Sequence, residues 1–450
     1  MISPSSLNPP ILGDFNYYYD KKMNNKYWLK NAHIPLDLIE NNTVKFEQQT
    51  REGLVLCDIE IEGEKIKQII RASDKTEGKD LKKGIVLPCF VDIHTHLDKG
   101  HIYQRSPNLK GDFETALKMA RSDAQYWTEE EIYQRMNFGL KCSYAHGAIA
   151  LRTHLDCYSY DDFISVDIWK QLQKEWQNKL TIQAVSLVSL DYFLTPDGAR
   201  LANKMAEKEG ILGGVAYMNK DIDQQIEKVF QLAIERNLDL DFHADENNEI
   251  DSICLQKIAE TAIKMNYQGN IICGHCCSLA VQPPEVVKKT IELVKEANIS
   301  IVSLPMCNLY LQDRQEDTTP FWRGVTRVKE LKQAGVDVAF ASDNCRDPFY
   351  GFGDHDMLEV FTQSVRIAHL DTPYGDWITS VTKTPAKMIK LPHLGKIGVG
   401  STADLILFKG RYFSELLSRN QCDRSLIRNG KIVDAQLPDY EELDPFIEVN

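Results

Sequence analysis

Four short apolar runs in this chain stop at side chains able to hold a metal ion, and that recurrence constrains the fold more than any other feature. The first is Pro88-Cys89-Phe90-Val91-Asp92-Ile93-His94-Thr95-His96-Leu97-Asp98; the others end at His243-Ala244-Asp245-Glu246, at Gly274-His275 and at Ser342-Asp343. In an extended strand, residues i and i+2 project from one face, so His94 and His96 can reach the same ion. His-x-His alone is a weak signal. Four strand ends that all carry a ligand or an acid make a stronger one.

Between residues 85 and 343 short β-rich runs alternate with longer segments whose apolar positions recur at three and four, such as Glu129 to Ala145, Ile222 to Asn237 and Glu285 to Ala297. Eight strands are expected: Ile85 to His96, Gly147 to Asp156, Leu180 to Ser189, Ile211 to Asn219, Leu238 to Glu246, Asn270 to His275, Ile299 to Asn308 and Val336 to Asp343. Eight strand-helix units define an α/β chain of the (β/α)8 TIM barrel type, in which chemistry is built at the C-terminal ends of the strands. The ligand candidates lie at those ends.

The flanks read differently. Residues 1–25 lack either period and read as a surface extension. Residues 26–84 hold short alternating segments punctuated by Gly53, Gly63 and Gly84, and a matching set returns in residues 395–450, in Gly400 to Phe408 and Arg424 to Val433. The expected organisation is a barrel over 85–394 with a small composite β-sandwich built from both chain ends.

A formal charge of −13, with acids and bases interspersed, argues against a phosphate-backbone footprint and hence against nucleic acid as a partner. Nothing approaches the roughly 18 to 20 uninterrupted apolar residues of a membrane helix, and the N-terminus has no charged head followed by an apolar signal core, so a cytoplasmic protein is expected. Eleven cysteines without a secretory signal suit reduced thiols. Cys273-Gly-His-Cys276 spells the C-x-x-C of a thiol oxidoreductase, but its surroundings are not those of a small redox module. Homo-oligomers are common in general, and no interface signature stands out here.

Placed on one barrel, His94, His96, His243 and Asp343 form a ligand set for one divalent ion, with a position left open for water. Such an ion activates water by lowering its pKa toward ~7. Zinc suits these ligands and ferrous iron suits them nearly as well. Glu246, just past the strand that carries His243, is the expected general acid and base. His275 faces the same cavity, either to hydrogen-bond the reacting groups or as a further ligand. Asp98 and Asp156 are read as groups that orient imidazoles, His154 is not read as a ligand, and Asp245 is ambiguous. Gln312, Arg314 and Phe349 are expected in the substrate wall.

With these residues in view the chain resembles the amidohydrolase superfamily, and within it the cytosine deaminase family. The similarity runs from about Lys26 to Val433 and is carried by His94-Thr-His96-Leu-Asp98, Arg152-Thr-His154-Leu-Asp156, His243-Ala-Asp245-Glu246, Gly274-His275, Asn308-Leu-Tyr-Leu-Gln312-Asp-Arg314, Arg323 to Glu330 and Ser342-Asp343-Asn344-Cys-Arg346-Asp347-Pro348-Phe349-Tyr350. The resemblance implies a barrel with a β-sandwich, one ferrous or zinc ion, Glu246 as proton shuttle and hydrolytic release of ammonia from a small amino-substituted N-heterocycle, cytosine or a related cyclic amidine. It also implies two changes in the pocket: Ser189 stands where those enzymes place a Gln, and Asn344 replaces their second Asp. An amide offers donor and acceptor where a carboxylate only accepts. The alternatives are hydrolysis of a cyclic amide or an N-alkyl-amino triazine-like ring, with a second metal bridged by Lys220, and a non-catalytic metabolite-binding barrel.

Overall fold

The computed structural model describes residues 26–40, 44–158 and 162–447, so the N-terminal extension lies outside the described residues. Two compact units emerge. One comprises the described residues up to Cys89 with Asp371–Lys383 and His393–Ala435; the other comprises Phe90–Leu370, Thr384–Pro392 and the tail from Gln436.

In the first unit, Lys26–Pro35 runs antiparallel to Leu54–Glu62, which turns at Gly63 into Lys65–Arg71. A second sheet orders Lys431–Val433, Ser425–Arg428, Leu405–Leu407 and Val86–Pro88 side by side. Leu29, Ile59 and Ile69 from one sheet and Val86, Leu405 and Ile427 from the other share one apolar core. Period-two alternation in these segments is what supplies each sheet with its buried face.

The second unit is built on eight parallel strands: β1 (Phe90–Thr95), β2 (Ala148–Asp156), β3 (Thr181–Leu187), β4 (Leu212–Ala216), β5 (Leu240–Ala244), β6 (Ile271–His275), β7 (Ile299–Ser303) and β8 (Val338–Phe340). β1 to β3 form one parallel sheet and β4 to β8 another. Isolated parallel bridges join them, Val185 to Ile211 and Ser189 to Val215 on one side and Thr95 to Asp343 on the other. Helices fall where the three-four period puts them, including Glu129–His146, Ile222–Arg236 and Pro284–Glu296. Thr128 caps the first, its side chain accepting from the Glu131 backbone N–H, and Gly147 ends it in the left-handed conformation.

Three boundaries depart from the sequence expectation. The run from Ile85 to His96 splits, because Val86–Pro88 pairs antiparallel with Leu405–Leu407 whereas Phe90–Thr95 pairs parallel with β2. Asp371–Lys383, expected in the barrel, belongs to the first unit. The tail, expected with the first unit, belongs to the second, where Leu443 and Ile447 pack on Phe138 and Cys142. Among the described residues no helix is long and apolar enough to cross a membrane.

Candidate metal centre

β1 and β5 each bring an imidazole inward, and alternation explains why. His94 and Asp92 share a face of β1, as His243 and Asp241 share a face of β5. Asp241 is ion-paired with Arg152 of β2 at 2.7 Å, and Asp92 accepts from the Ser342 hydroxyl at 2.5 Å. These buried polar pairs lie one step earlier on their strands than the histidines they accompany.

The donor atoms converge. His94 Nε2 lies 3.1 Å from His243 Nε2, which lies 3.4 Å from His96 Nε2. Asp343 Oδ1 is 3.2 Å from His96 Nε2 and 3.6 Å from His94 Nε2. Four ligands held tetrahedrally about 2.0 to 2.1 Å from an ion stand about 3.3 Å from one another. The four separations, 3.1 to 3.6 Å, lie near that value, and His94 belongs to trios whose donors gather within 4.8 Å, among them one with His96 and Asp343 and one with His243 and His275.

Its electrostatics agree. Among the described residues the carboxylate of Asp343, which is 1% exposed, meets no hydrogen-bond donor beyond the weak thiol of Cys307. Burial, and then the nearby charge of Asp347, push its pKa up to about 8. An unpaired buried carboxylate is costly and a cation at its oxygens removes the cost. Burial also drives His94, His96 and His243 well below the ordinary histidine value, keeping their lone pairs free for a ligand bond. These residues fit a divalent cation.

Two local devices aim the ligands. Asp343 and His275 both sit at positive φ, 63° and 69°, a left-handed conformation that turns the chain just where a strand ends. Gly274 provides room: a Cβ there would lie 2.8 Å from His94 Cε1, closer than real carbons approach. His154 packs against the cage, its ring centroid 3.9 Å from that of His94.

Glu246 and His275 stand beside the cage. Glu246 Oε1 lies 3.2 Å from His275 Nδ1, and Asn308 Nδ2 reaches both, donating to Oε1 at 3.2 Å and standing 3.0 Å from Nδ1. Burial, then the like charge of Asp343, push the Glu246 carboxyl well above the usual range. Asp245 turns away. Its carboxylate accepts from the backbone N–H groups of Cys254 and Leu255 and from the Ser252 hydroxyl, so it anchors the start of helix Cys254–Lys264 and the loop that carries Glu246.

A cavity opens over these groups, walled by Phe113, Leu117, Val188, Ser189, Phe349 and Asn344 and floored by His96, His243, Glu246, His275 and Asp343. Ser189, Asn344 and Phe349, read from the sequence as substrate-binding, are among the residues that line it. Gln312 and Arg314 do not. Helix Pro305–Leu311 ends just before them; Gln312 donates to the Glu246 backbone carbonyl at 3.1 Å, and Arg314 is exposed over the Tyr310 ring. Lys220, the candidate bridge for a second ion, is exposed and off the cavity wall. Cys273 and Cys276 are buried free thiols whose pKa values burial raises well above the ordinary thiol value, the opposite of a reactive redox pair.

Of the wall residues that were not anticipated, Phe113, Leu117 and Val188 are apolar and Lys99 is charged. Lys99 is buried in the cavity, its Nζ 2.9 Å from Asp156 Oδ1 and 5.2 Å from the centroid of the Phe349 ring. Burial opposes its charge, but Asp156 and Asp98 outweigh that and raise its pKa. Its position directly after His94-Thr-His96-Leu-Asp98 was the available signal.

Parallel strands that gather three imidazoles, a carboxylate and an adjacent acid at one end describe a class, and the chain belongs to it: residues 163–434 match the amidohydrolase family. Within that class the chain is 44% identical over 428 residues to a pterin deaminase of Rhizobium rhizogenes (strain K84 / ATCC BAA-868), covering 94% of this chain and 97% of that one. It is also 25% identical to the N-isopropylammelide isopropyl amidohydrolase of Pseudomonas sp. (strain ADP), over 88% of this chain and 97% of the relative. The crystal structure of 5-methylcytosine deaminase from Klebsiella pneumoniae with 5-fluorocytosine superposes with a TM-score of 0.79 at 22% identity, over 92% of this chain and 98% of that one. The fold is accordingly α/β of the TIM-barrel type.

Proposed function

We propose that this protein is a metal-dependent hydrolase that releases ammonia from an amino-substituted N-heterocycle, and that the ring is a 2-amino-4-oxopteridine, a pterin. The observation that carries the reading is the convergence of His94, His96, His243 and Asp343 beside Glu246 and His275. The ring assignment rests on the 44% identity to a pterin deaminase and on a cavity that pairs apolar walls with a buried ammonium. In the same reading the eight strands close into a (β/α)8 barrel, a view supported by the bridges at both seams, and the two terminal sheets with their shared core form a composite β-sandwich.

His94, His96, His243 and Asp343 hold one ion, zinc or ferrous iron. When bound, it supplies Lewis-acid polarisation and lowers the pKa of a water molecule. The chain's own residues do the rest. Glu246 takes one proton from the water as its oxygen adds to the amidine carbon and passes it to a ring nitrogen; it then takes the second proton from the new hydroxyl and gives it to the departing amine, so that the carbon–nitrogen bond breaks and leaves a carbonyl and ammonia. Glu246 and the Asn308 amide hold the His275 ring over the reacting carbon. Phe113 and Phe349, in edge-to-face contact at 5.6 Å, form one apolar wall for the flat ring, and Lys99 donates to its oxo oxygen. Asn344, tied to Asp347 at 2.7 Å, presents the amide that replaces a carboxylate at that edge.

The test is an amine-release screen of the zinc- and iron-loaded protein on pterin, cytosine, guanine and N-alkyl-amino triazines. Ammonia released fastest from pterin supports the reading. Preference for cytosine would discard the pteridine assignment, and release of alkylamine in place of ammonia would favour the reaction named for the Pseudomonas relative.

A further inference from the structure

A second group of ligating side chains lies apart from the cage and shares no residue with it. His101 follows β1 by six residues, and Cys345 and His355 lie in the segment after β8. One ligand atom from each lies within 4.8 Å of the other two, and all three residues are buried, 3%, 1% and 2% exposed. We propose that His101, Cys345 and His355 bind a second metal ion, a zinc-like thiophilic cation, which clips the loop after β1 to the loop after β8.

Several observations converge on this trio. Among the described residues neither ring nitrogen of His101 has a hydrogen-bond partner, and neither does His355 Nε2. Buried polar atoms without partners are uncommon and cost about 1 to 3 kcal/mol each. A cation satisfies the lone pairs on both rings at once. Around the rings the packing offers no substitute partner: Phe138 meets His101 edge on at 4.8 Å, and a Cβ at position 139 would lie 3.0 Å from His355 Nε2, so Gly139 leaves space at that nitrogen. His355 is oriented from its other side, with Nδ1 3.3 Å from the Thr95 hydroxyl, as ligating imidazoles commonly are. Two imidazoles and one sulfur make a borderline-soft donor set suited to zinc. Asp354 and Arg346 face both His101 and Cys345, Asp347 faces Cys345, and Arg135 faces His101.

The place explains the use. The β8 to β1 seam is thin: Thr95 and Asp343 form a single bridge, with Asp343 N donating to the His94 carbonyl at 2.8 Å. His101 N and Tyr103 N continue it by donating to the Cys345 and Arg346 carbonyls at 3.0 and 2.8 Å. An ion here closes the seam that also carries His94, His96 and Asp343. On binding, the Cys345 sulfur forms a bond to the cation and its proton leaves to solvent, so one proton is released per ion.

The experiment counts metal and reads its ligands. Full-length protein saturated with zinc and desalted should hold two ions per chain by elemental analysis. Cys345→Ser should hold one, and His243→Ala, which breaks the first cage, should also hold one. With cobalt in place of zinc, a sulfur-to-cobalt charge-transfer band in the near ultraviolet should appear in the wild type and in His243→Ala. It should vanish in Cys345→Ser and weaken in His101→Gln, the second variant in case the first folds poorly. The catalytic cage contains no sulfur, so the band reports the trio alone. A single ion per chain, a wild type without the band, or a band that survives in both trio variants overturns the proposal. Ammonia release plays no part in these readouts, so the outcome is independent of the reaction assigned above.

Discussion

Glu246 is the residue on which the proposed proton traffic depends. It stands clear of the four-donor cage, yet it touches His275 and Asn308 at 3.2 Å. Replacing it with Gln keeps the shape and the Asn308 contact and removes the proton acceptor. Glu246→Gln should therefore retain its metal in full while ammonia release drops about 10²- to 10⁴-fold; paired elemental analysis and turnover measurements check both halves, and undiminished turnover would take Glu246 out of the mechanism. Much at this scale was legible in the sequence, because His94, His96 and His243 depend only on strand period and a strand end. Lys99 was not, since its significance comes from Asp156, which reaches it from the end of the neighbouring strand. Gln312 and Arg314 failed for the converse reason: their chemistry suited a ring, but the end of helix Pro305–Leu311 sends them elsewhere.

At the scale of elements, the strands had to be built around the histidine rings. Gly274 pairs with His243 across β5 and β6, and any larger residue there presses on His94. The helices around β6 and the pairing of its backbone do not need a glycine. Gly274→Ala should thus fold with unchanged circular dichroism but displace the His94 ring; a shift near 1 Å costs about 10²-fold in rate. Metal affinity by competition with a chelator should fall in the same variant, and an unaltered affinity would show that the ring has slack. The existence and order of strands and helices could be read from periodicity, whereas the left-handed turns at His275 and Asp343 could not, since positive φ is uncommon for non-glycine residues and no period in the sequence marks it. The same limit hid the split between Val86–Pro88 and Phe90–Thr95, where one apolar run serves two sheets.

Across the whole molecule, the pattern of the chain ends announced that both contribute strands to one unit, but not that Asp371–Lys383 joins them or that the tail leaves them. Those assignments depend on contacts between distant segments, such as Leu443 on Phe138, which no local pattern encodes. The proposed catalytic ion has a consequence at this scale too. Its ligands come from β1, from β5 and from the end of the β8 segment, which are 149 and 247 residues apart counted from His94 to His243 and from His96 to Asp343. An unfolded chain cannot present them together, so the ion binds the folded state and stabilises it by linkage, about 4 kcal/mol when free metal exceeds its dissociation constant a thousandfold. In the Cys345→Ser background, which leaves the catalytic cage as the binding site, the melting temperature should rise by several degrees as zinc is titrated into chelated protein, and His243→Ala added to that background should flatten the response. A melting temperature indifferent to zinc while the ion is demonstrably bound would mean that the three segments are already locked without it, and that the cage is held by the polar pairs beneath it, Arg152 with Asp241 and Asp92 with Ser342.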